Sequence, residues 1–168
     1  MDDEFAGFCR REHARLVAAL DLMTGSRPLA EDLAQEALAR ALPRWSRIRE
    51  MDAPGAYVHR IAVNLATSSF RRRAAERRLA ARAASSDEHR DPDGAISVAV
   101  RQALAAIRPQ QRRVLVLRYF LGYSVEETAD LLGMPAGTVK THTQRGLSAL
   151  RAHFDEPVTT GDLEADRA

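Results

Sequence analysis

Cysteine is almost absent from the 168-residue sequence, in which Cys9 is the only one. A single thiol excludes an internal disulfide and a metal cluster built on several thiolates. Glycine and proline are also sparse, with nine and seven residues, whereas alanine, leucine, arginine and glutamate are abundant. Because no run of alternating β-branched residues argues for a sheet, this composition predicts an all-α fold.

Long apolar runs and the common motifs of catalysis are missing as well. No stretch approaches the ~20 apolar residues that span a bilayer, and the start, MDDEF, is unlike a signal peptide. We therefore expect a cytoplasmic protein without membrane insertion. The five histidines form no H-E-x-x-H pair, and there is no glycine-rich phosphate loop or nucleophile motif. The sequence thus predicts no enzyme, with no catalytic residue, metal site or cofactor.

The formal charge of +2 is unevenly distributed. Residues 155–168 carry five acidic groups against one arginine, which leaves +6 on the first 154 residues. Within twelve positions stand six arginines, namely Arg71, Arg72, Arg73, Arg77, Arg78 and Arg82. Such a block is typical of a polyanion-binding surface, although a solvated helix face explains it equally well.

Apolar spacing predicts two small helical domains joined by a flexible linker. The domains are expected at 1–82 and 94–154, the linker at 83–93, and a disordered acidic tail at 155–168. In the first domain, helices are predicted at residues 3–23, 28–42 and 54–81, with a loop at 46–53 and Trp45 in the core. In the second domain, the apolar positions of the first helix are expected to be Val98, Val100, Leu104 and Ile107. Pro109 is expected to end this helix and to begin the next one.

The strongest local pattern spans residues 123–154 and predicts a helix-turn-helix. Ser124 followed by Glu127 is a capping box, and Gly133 suits the left-handed end of the helix that follows. A second helix is expected from Ala136, with Gly146 allowing close approach of a neighbour. The first helix is expected to bury Val125, Ala129 and Leu132. The second is expected to bury Val139, Leu147 and Leu150.

The outer face of that second helix is rich in side chains that donate hydrogen bonds. It carries Gly137, Lys140, Thr141, Gln144, Arg145 and Ser148. Lysine and arginine neutralise phosphates, while glutamine and arginine make bidentate contacts to base edges. An ordinary helical hairpin with a wet face is the alternative. Because the cap, the turn glycine and the donor-rich face agree, the pattern favours DNA binding.

Three segments resemble a known family. RPQQRRVLVLRYFLGYSVEETADLLGMPAGTVKTHTQRGLSALR resembles region 4 of bacterial sigma factors, most closely the extracytoplasmic-function (ECF) group. LAEDLAQEALARALPRW resembles region 2.2 of that group, and AYVHRIAVNLATSSFRRR resembles region 2.4. The resemblance covers about residues 3–154, and the ECF group has only these two regions. It implies a sigma factor that binds core RNA polymerase and directs promoter-specific transcription initiation.

The resemblance also implies roles for individual residues. Region 2.2 docks on the clamp helices of the polymerase β′ subunit, which places Asp32, Gln35, Glu36 and Arg40 at that contact. Region 2.4 reads the −10 element, which places Arg60, Asn64, Thr67, Ser68 and Arg71 there. Region 4 reads the −35 element with its second helix and binds the β flap with its earlier helices. In the family, the loop before region 2.4 captures a flipped-out base, and here that loop contains no aromatic residue.

Two further readings stay open at this point. Thr138-Val139-Lys140-Thr141-His142 also fits a stand-alone helix-turn-helix regulator of the response-regulator type, but no alternating βα receiver domain is visible. A helical adaptor for another protein is the third reading, and the linker and basic surfaces weigh against it. The sequence departs from the family at His142, where arginine is common, and at residues 67–69. Many members are restrained by an anti-sigma factor, but nothing in the sequence identifies one.

Overall fold

Helices form all the regular secondary structure in residues 2–79 and 98–155, which are the residues that the computed structural model describes. The all-α prediction is confirmed. The first half contains α1 (Asp2–Thr24), α2 (Arg27–Ala41), α3 (Trp45–Ile48) and α4 (Pro54–Leu79). The second half contains α5 (Val98–Ala106), α6 (Pro109–Leu115), a π turn (Val116–Phe120), α7 (Val125–Leu132) and α8 (Ala136–Asp155). The predicted linker at 83–93 and tail residues 156–168 lie outside the described residues.

The first half is a bundle in which α2 packs between α1 and α4. The buried face of α2 is mostly alanine, which lets the neighbouring helices approach closely: Ala30, Leu33, Ala34, Ala37, Leu38 and Ala41. Trp45 closes one end of this core, 4% exposed, with its ring centroid 4.8 Å from Phe8 and 5.2 Å from Phe5. The expectation of a core tryptophan is confirmed.

The predicted loop at 46–53 is wrong in its first part. After α2 the chain continues through a 3₁₀ turn, Leu42–Arg44, directly into α3, Trp45–Ile48. Trp45 and Ile48 are three residues apart, so one helical turn directs both side chains into the core, and Ile48 is fully buried. The non-helical segment shrinks to residues 49–53, and Pro54 begins α4 as predicted.

In the second half, the predicted role of Val98 and Val100 is wrong. These side chains are 52% and 40% exposed, whereas Leu104 and Ile107 are buried. Burial in α5 begins only at Ala103, because Leu104 and Ile107 are the residues that pack in an apolar cluster with Leu22 and Met23 of α1. Pro109 opens α6 as predicted.

The two halves contact each other directly. Helices α1 and α4 pack against α5, α6, the π turn and α7. One apolar cluster is shared by both halves and includes Ala19, Leu22, Met23 and Val63 from the first, with Leu104, Ile107, Val116 and Leu121 from the second. We call this surface the interdomain contact.

Candidate nucleic-acid interface

Helices α7 and α8 form the predicted helix-turn-helix, and the capping box at its start is complete. The backbone N–H of Glu127 donates to Ser124 Oγ at 3.0 Å, and the N–H of Ser124 donates to the Glu127 carboxylate at 2.7 Å. Hydrogen bonding from the backbone N–H of Ser124 to this carboxylate, and next from the Ser124 side chain, lowers the pKa of Glu127. Gly133 ends α7 with φ of 62°, in the left-handed region that glycine adopts without strain.

Replacing Ser124 with alanine is expected to destabilise the second half by about 1 kcal/mol, because the N–H of Glu127 loses its acceptor. Urea unfolding of the full chain, followed by circular dichroism, measures the change. Ser148→Ala, an exposed serine within α8, is the matched control and should leave the midpoint nearly unchanged. Equal losses in the two variants would contradict a role for the cap.

Close packing on α6 holds α8 in place. Gly146 lies so near α6 that a Cβ atom built on it would stand 2.9 Å from Leu115 Cδ1 and 3.3 Å from Gln111 Cβ. Val139 is fully buried as predicted. Thr128 and Leu131 are the buried residues of α7 beside Ala129. The other residues expected to be buried are only half-buried, namely Val125, Leu132, Leu147 and Leu150.

The outer face of α8 is open to solvent. All five residues predicted to contact the −35 element are exposed: Gly137, Lys140, Thr141, Gln144 and Arg145. The hydroxyl of Thr141 donates to the carbonyl of Gly137 at 3.0 Å within the helix. This leaves the long side chains of Lys140, Gln144 and Arg145 as the polar groups that extend furthest from this face.

A second polar surface lies on α4, where the predicted −10 residues Arg60, Asn64, Ser68 and Arg71 are exposed. Beside them the end of α2 and the face of α4 enclose a pocket of about 230 Å³. Its lining consists of Arg40, Arg44, Ile61, Asn64, Leu65 and Ser68. The pocket therefore combines two guanidinium groups, an amide, a hydroxyl and two apolar side chains.

Thr67 stands apart from the other predicted −10 residues. It is half-buried, and its hydroxyl donates to the Val63 carbonyl at 2.8 Å. The same oxygen accepts from Arg113 Nη1 at 2.6 Å, across the interdomain contact. Burial, and next the charge of Arg71, lower the pKa of Arg113. The structure thus places Thr67 between the two halves.

The polar face of α2 is exposed at each residue predicted to contact polymerase, namely Asp32, Gln35, Glu36 and Arg40. Arg40 Nε lies 2.6 Å from Glu36 Oε1, one helical turn away. Arg40 also lines the pocket beside Asn64, so it lies at the border of the two predicted surfaces.

Arg44 is the charged pocket residue that sequence reasoning missed, beside the apolar Ile61 and Leu65. It follows Arg40 by four positions, a spacing that places two residues on the same side of a helix. Pro43 between them indicated the end of the helix, and the 3₁₀ turn that carries Arg44 onward was not anticipated. The spacing was therefore the only available signal.

Comparison with known proteins follows the same division into two halves. The Sigma-70 region 2 family matches residues 8–76, and the Sigma-70, region 4 family matches residues 97–150. The RNA polymerase sigma-E factor of Streptomyces coelicolor is 34% identical over 166 residues, covering 96% of this chain and 90% of that protein. The ECF RNA polymerase sigma factor SigW of Bacillus subtilis is 30% identical, covering 77% of each chain. The chain belongs to the ECF group of RNA polymerase sigma factors.

The fold of this sigma factor is shared with solved relatives. The sigma factor RpoE of Bartonella quintana, solved in complex with the anti-sigma factor NepR, superposes with a TM-score of 0.75 at 23% identity. That match covers 90% of this chain and 96% of the other. CnrH, solved with the cytosolic domain of CnrY, has a TM-score of 0.61. Both likenesses concern the fold.

The family fixes the function at a general level. The sigma factor directs promoter-specific transcription initiation, and its partners are core RNA polymerase and promoter DNA. A stand-alone regulator is not favoured, because the region 2 family matches most of the first half. Within residues 2–79 and 98–155, no helix is long and apolar enough to cross a membrane. The same residues contain no group of histidine, cysteine and acidic side chains arranged to hold a metal ion.

Proposed function

We propose that each half of this sigma factor reads one promoter element. Helix α4 contacts the −10 element through Arg60, Asn64, Thr67, Ser68 and Arg71. Helix α8 contacts the −35 element through Gly137, Lys140, Thr141, Gln144 and Arg145. The observation that carries this proposal is the pocket between α2 and α4. It adds, beside the exposed polar face of α4, a cavity whose polar and apolar side chains can hold a nucleic-acid base.

The pocket suits one unstacked base of the non-template strand. Ile61 and Leu65 offer apolar surface to the face of a base, while the Asn64 amide and Ser68 hydroxyl offer hydrogen bonds to its edge. Opening a duplex costs a few kcal/mol per unstacked base, and capture in a pocket offsets part of that cost. Residues 49–53 contain no aromatic wedge, so this polar capture carries more of the opening.

The two arginines of the pocket suit the DNA phosphates on either side of that base. Arg40 and Arg44 bring two positive charges to the rim, and guanidinium groups bind phosphate in a bidentate manner. Arg40 keeps a place in the polymerase contact as well, with Asp32, Gln35 and Glu36 on the exposed face of α2. That face meets the β′ clamp helices, and the helices before α8 meet the β flap.

The sigma factor has no chemistry of its own in this proposal. RNA polymerase makes the RNA, and the sigma factor places the enzyme at the promoter and helps to open it, in the cytoplasm. An anti-sigma factor stays a predicted partner. Transcription in vitro with core polymerase and genomic templates tests the proposal. It fails if no promoter-specific transcript forms and the chain does not co-purify with core polymerase.

Two substitutions on α8 are expected to separate phosphate contacts from base contacts. Lys140→Ala should weaken holoenzyme binding to all promoters and reduce the slope of log affinity against log salt by about 0.9, the value for one lost phosphate contact. Gln144→Ala should relax sequence preference in the −35 element, by about 1–3 kcal/mol at one base pair, and leave the slope unchanged. Fluorescence anisotropy at several salt concentrations measures both quantities. If the two variants gave the same slope and the same preference, the assignment would be wrong.

A further inference from the structure

The outer face of α8 carries positive charge that no described side chain neutralises. Lys140, Arg145 and Arg151 are exposed along this helix, and none of the three takes part in a salt bridge between described side chains. The only acidic residue in the sequence of α8 is Asp155, at its end. Three cations along one exposed face attract anions.

The first helix of the helix-turn-helix has the opposite charge. Glu126, Glu127 and Asp130 are exposed on α7, and the two glutamates stand in its first turn. Like charges repel at short range, and salt screens the interaction beyond about 10 Å. An anionic segment close to the helix-turn-helix is therefore directed away from α7 and toward the outer face of α8.

The sequence that follows α8 is itself anionic. Residues 156–168 read EPVTTGDLEADRA, with four carboxylates and one arginine, and we call them the acidic segment. Asp162, Glu164 and Asp166 alternate with other residues, so an extended backbone would direct the three carboxylates to the same side. Pro157 disfavours the helical conformation in the residue before it, which favours a change of chain direction just after α8.

The acidic segment is long enough to reach every cation on the outer face of α8. Lys140 lies fifteen residues before the end of α8 at Asp155, which is about 23 Å along the axis at about 1.5 Å per residue. Asp162 and Asp166 lie seven and eleven residues beyond that end, so an extended chain carries them up to about 23 Å and about 36 Å. The separation of the charges also matches, because the three carboxylates span about 13 Å of extended chain and the three cations about 17 Å of helix.

We propose that the acidic segment folds back along α8 and binds its outer face, where it competes with DNA. The docking rests on the charges and distances above, whereas the competition with DNA rests on the proposed function. Exposed ion pairs are individually weak, but a short tether raises the local concentration of the segment to the millimolar range. While the segment occupies the face, DNA phosphates cannot, and the apparent affinity of the free chain for DNA falls.

Nuclear magnetic resonance of the full chain tests the docking directly. A nitroxide label, which broadens the amide signals of nearby residues, is attached at Ala165→Cys in a Cys9→Ser background. We expect broadening at Lys140, which is far enough from the end of α8 that the tether alone does not explain it. The broadening should disappear at about 0.5 M salt, because salt screens exposed charges.

An uncharged segment of the same length is the matched control for the labelled chain. The broadening at the start of α8 should be lost in this variant, because the attraction is removed while the tether is unchanged. Its three substitutions are Asp162→Asn, Glu164→Gln and Asp166→Asn.

Charge reversals on the folded part of the chain test which face binds the segment. Arg151→Glu should reduce the broadening at Lys140, because one of the three cations becomes an anion. Arg11→Glu makes the same change of charge on α1 and should leave the broadening unaltered. Both positions are exposed, and the dispersion of the amide signals shows whether each variant is folded.

Fluorescence anisotropy with a labelled duplex of random sequence tests the competition with DNA. The free chain with the uncharged segment should bind roughly threefold to tenfold more tightly than the wild type in low salt, the gain expected from a few exposed ion pairs. The difference should vanish in high salt. A gain in affinity without any broadening on α8 would indicate repulsion of DNA at a distance and would overturn the docking.

Two results of the label experiment would also overturn the docking. One is equal broadening of α8 in the wild type and in the chain with the uncharged segment. The other is broadening of the arginines at 71–73 on α4 in place of α8. Failure of every chain to bind DNA would instead count against the proposed function, because the label experiment needs no DNA.

Discussion

Asn64→Ala is expected to reduce promoter-specific transcription roughly tenfold and to leave core polymerase binding nearly unchanged. Asn64 is exposed on α4 and lines the pocket with Arg40 and Ser68. Its amide both donates and accepts hydrogen bonds, and losing a bidentate contact to a base edge costs about 1–3 kcal/mol. Transcription in vitro at matched holoenzyme concentrations measures the first quantity, and co-purification with core polymerase measures the second.

A control variant and a second measurement test the role of Asn64 further. Arg11→Ala truncates an exposed polar side chain of α1 outside both predicted faces, and it should preserve transcription. Permanganate footprinting shows whether the loss lies in opening, because unpaired thymines react and paired ones do not. Equal losses of transcription and of core binding in Asn64→Ala would argue that the residue is structural and would remove it from the −10 contact.

Gly146→Ala is expected to destabilise the second half by about 1–3 kcal/mol, the usual cost of forcing an extra carbon into a packed core. The new Cβ would stand 2.9 Å from Leu115 Cδ1 and 3.1 Å from its Cγ, and Leu115 itself is buried. To relieve the clash, the buried Leu115 side chain must repack or α8 must move away from α6. DNA binding should fall with stability, since the outer face of α8 would lose its fixed position.

The same helix supplies a matched control, because a Cβ on Gly137 would meet nothing within 4 Å. Gly137→Ala should therefore leave the urea midpoint unchanged or raise it, as alanine favours helix over glycine by up to about 1 kcal/mol. A midpoint for Gly146→Ala that matched the midpoint for Gly137→Ala would show that the close approach of α6 and α8 relaxes without cost.

Local signals in the sequence located most of the helices. The capping box at Ser124 and the turn at Gly133 depend on neighbouring residues only, so reading the chain in order finds them. The 3₁₀ turn that contains Pro43 escaped prediction because its formation depends on Trp45 and Ile48 reaching a core made by other helices. The exposure of Val98 escaped prediction for a similar reason, because burial in α5 depends on its contacts with α1 and α8.

In the candidate site, too, features set by local spacing could be predicted and features set by contacts between distant residues could not. Asn64 and Ser68 share one helical face by their spacing, so their exposure could be predicted from the sequence. The position of Arg44 in the pocket required the path of the chain between α2 and α4. The bond between Thr67 and Arg113 joins residues 46 positions apart, and no local pattern indicates such a pairing. Predicted positions thus agree best with the structure where a single helix determines them.

The exposed face of α2 has a consequence for the order of binding. In the proposed function, Asp32, Gln35 and Glu36 contact polymerase, and they stay exposed while the two halves of the chain are packed together. Polymerase therefore meets the first half without any rearrangement of the second. The rate of that first encounter then rises in proportion to polymerase concentration.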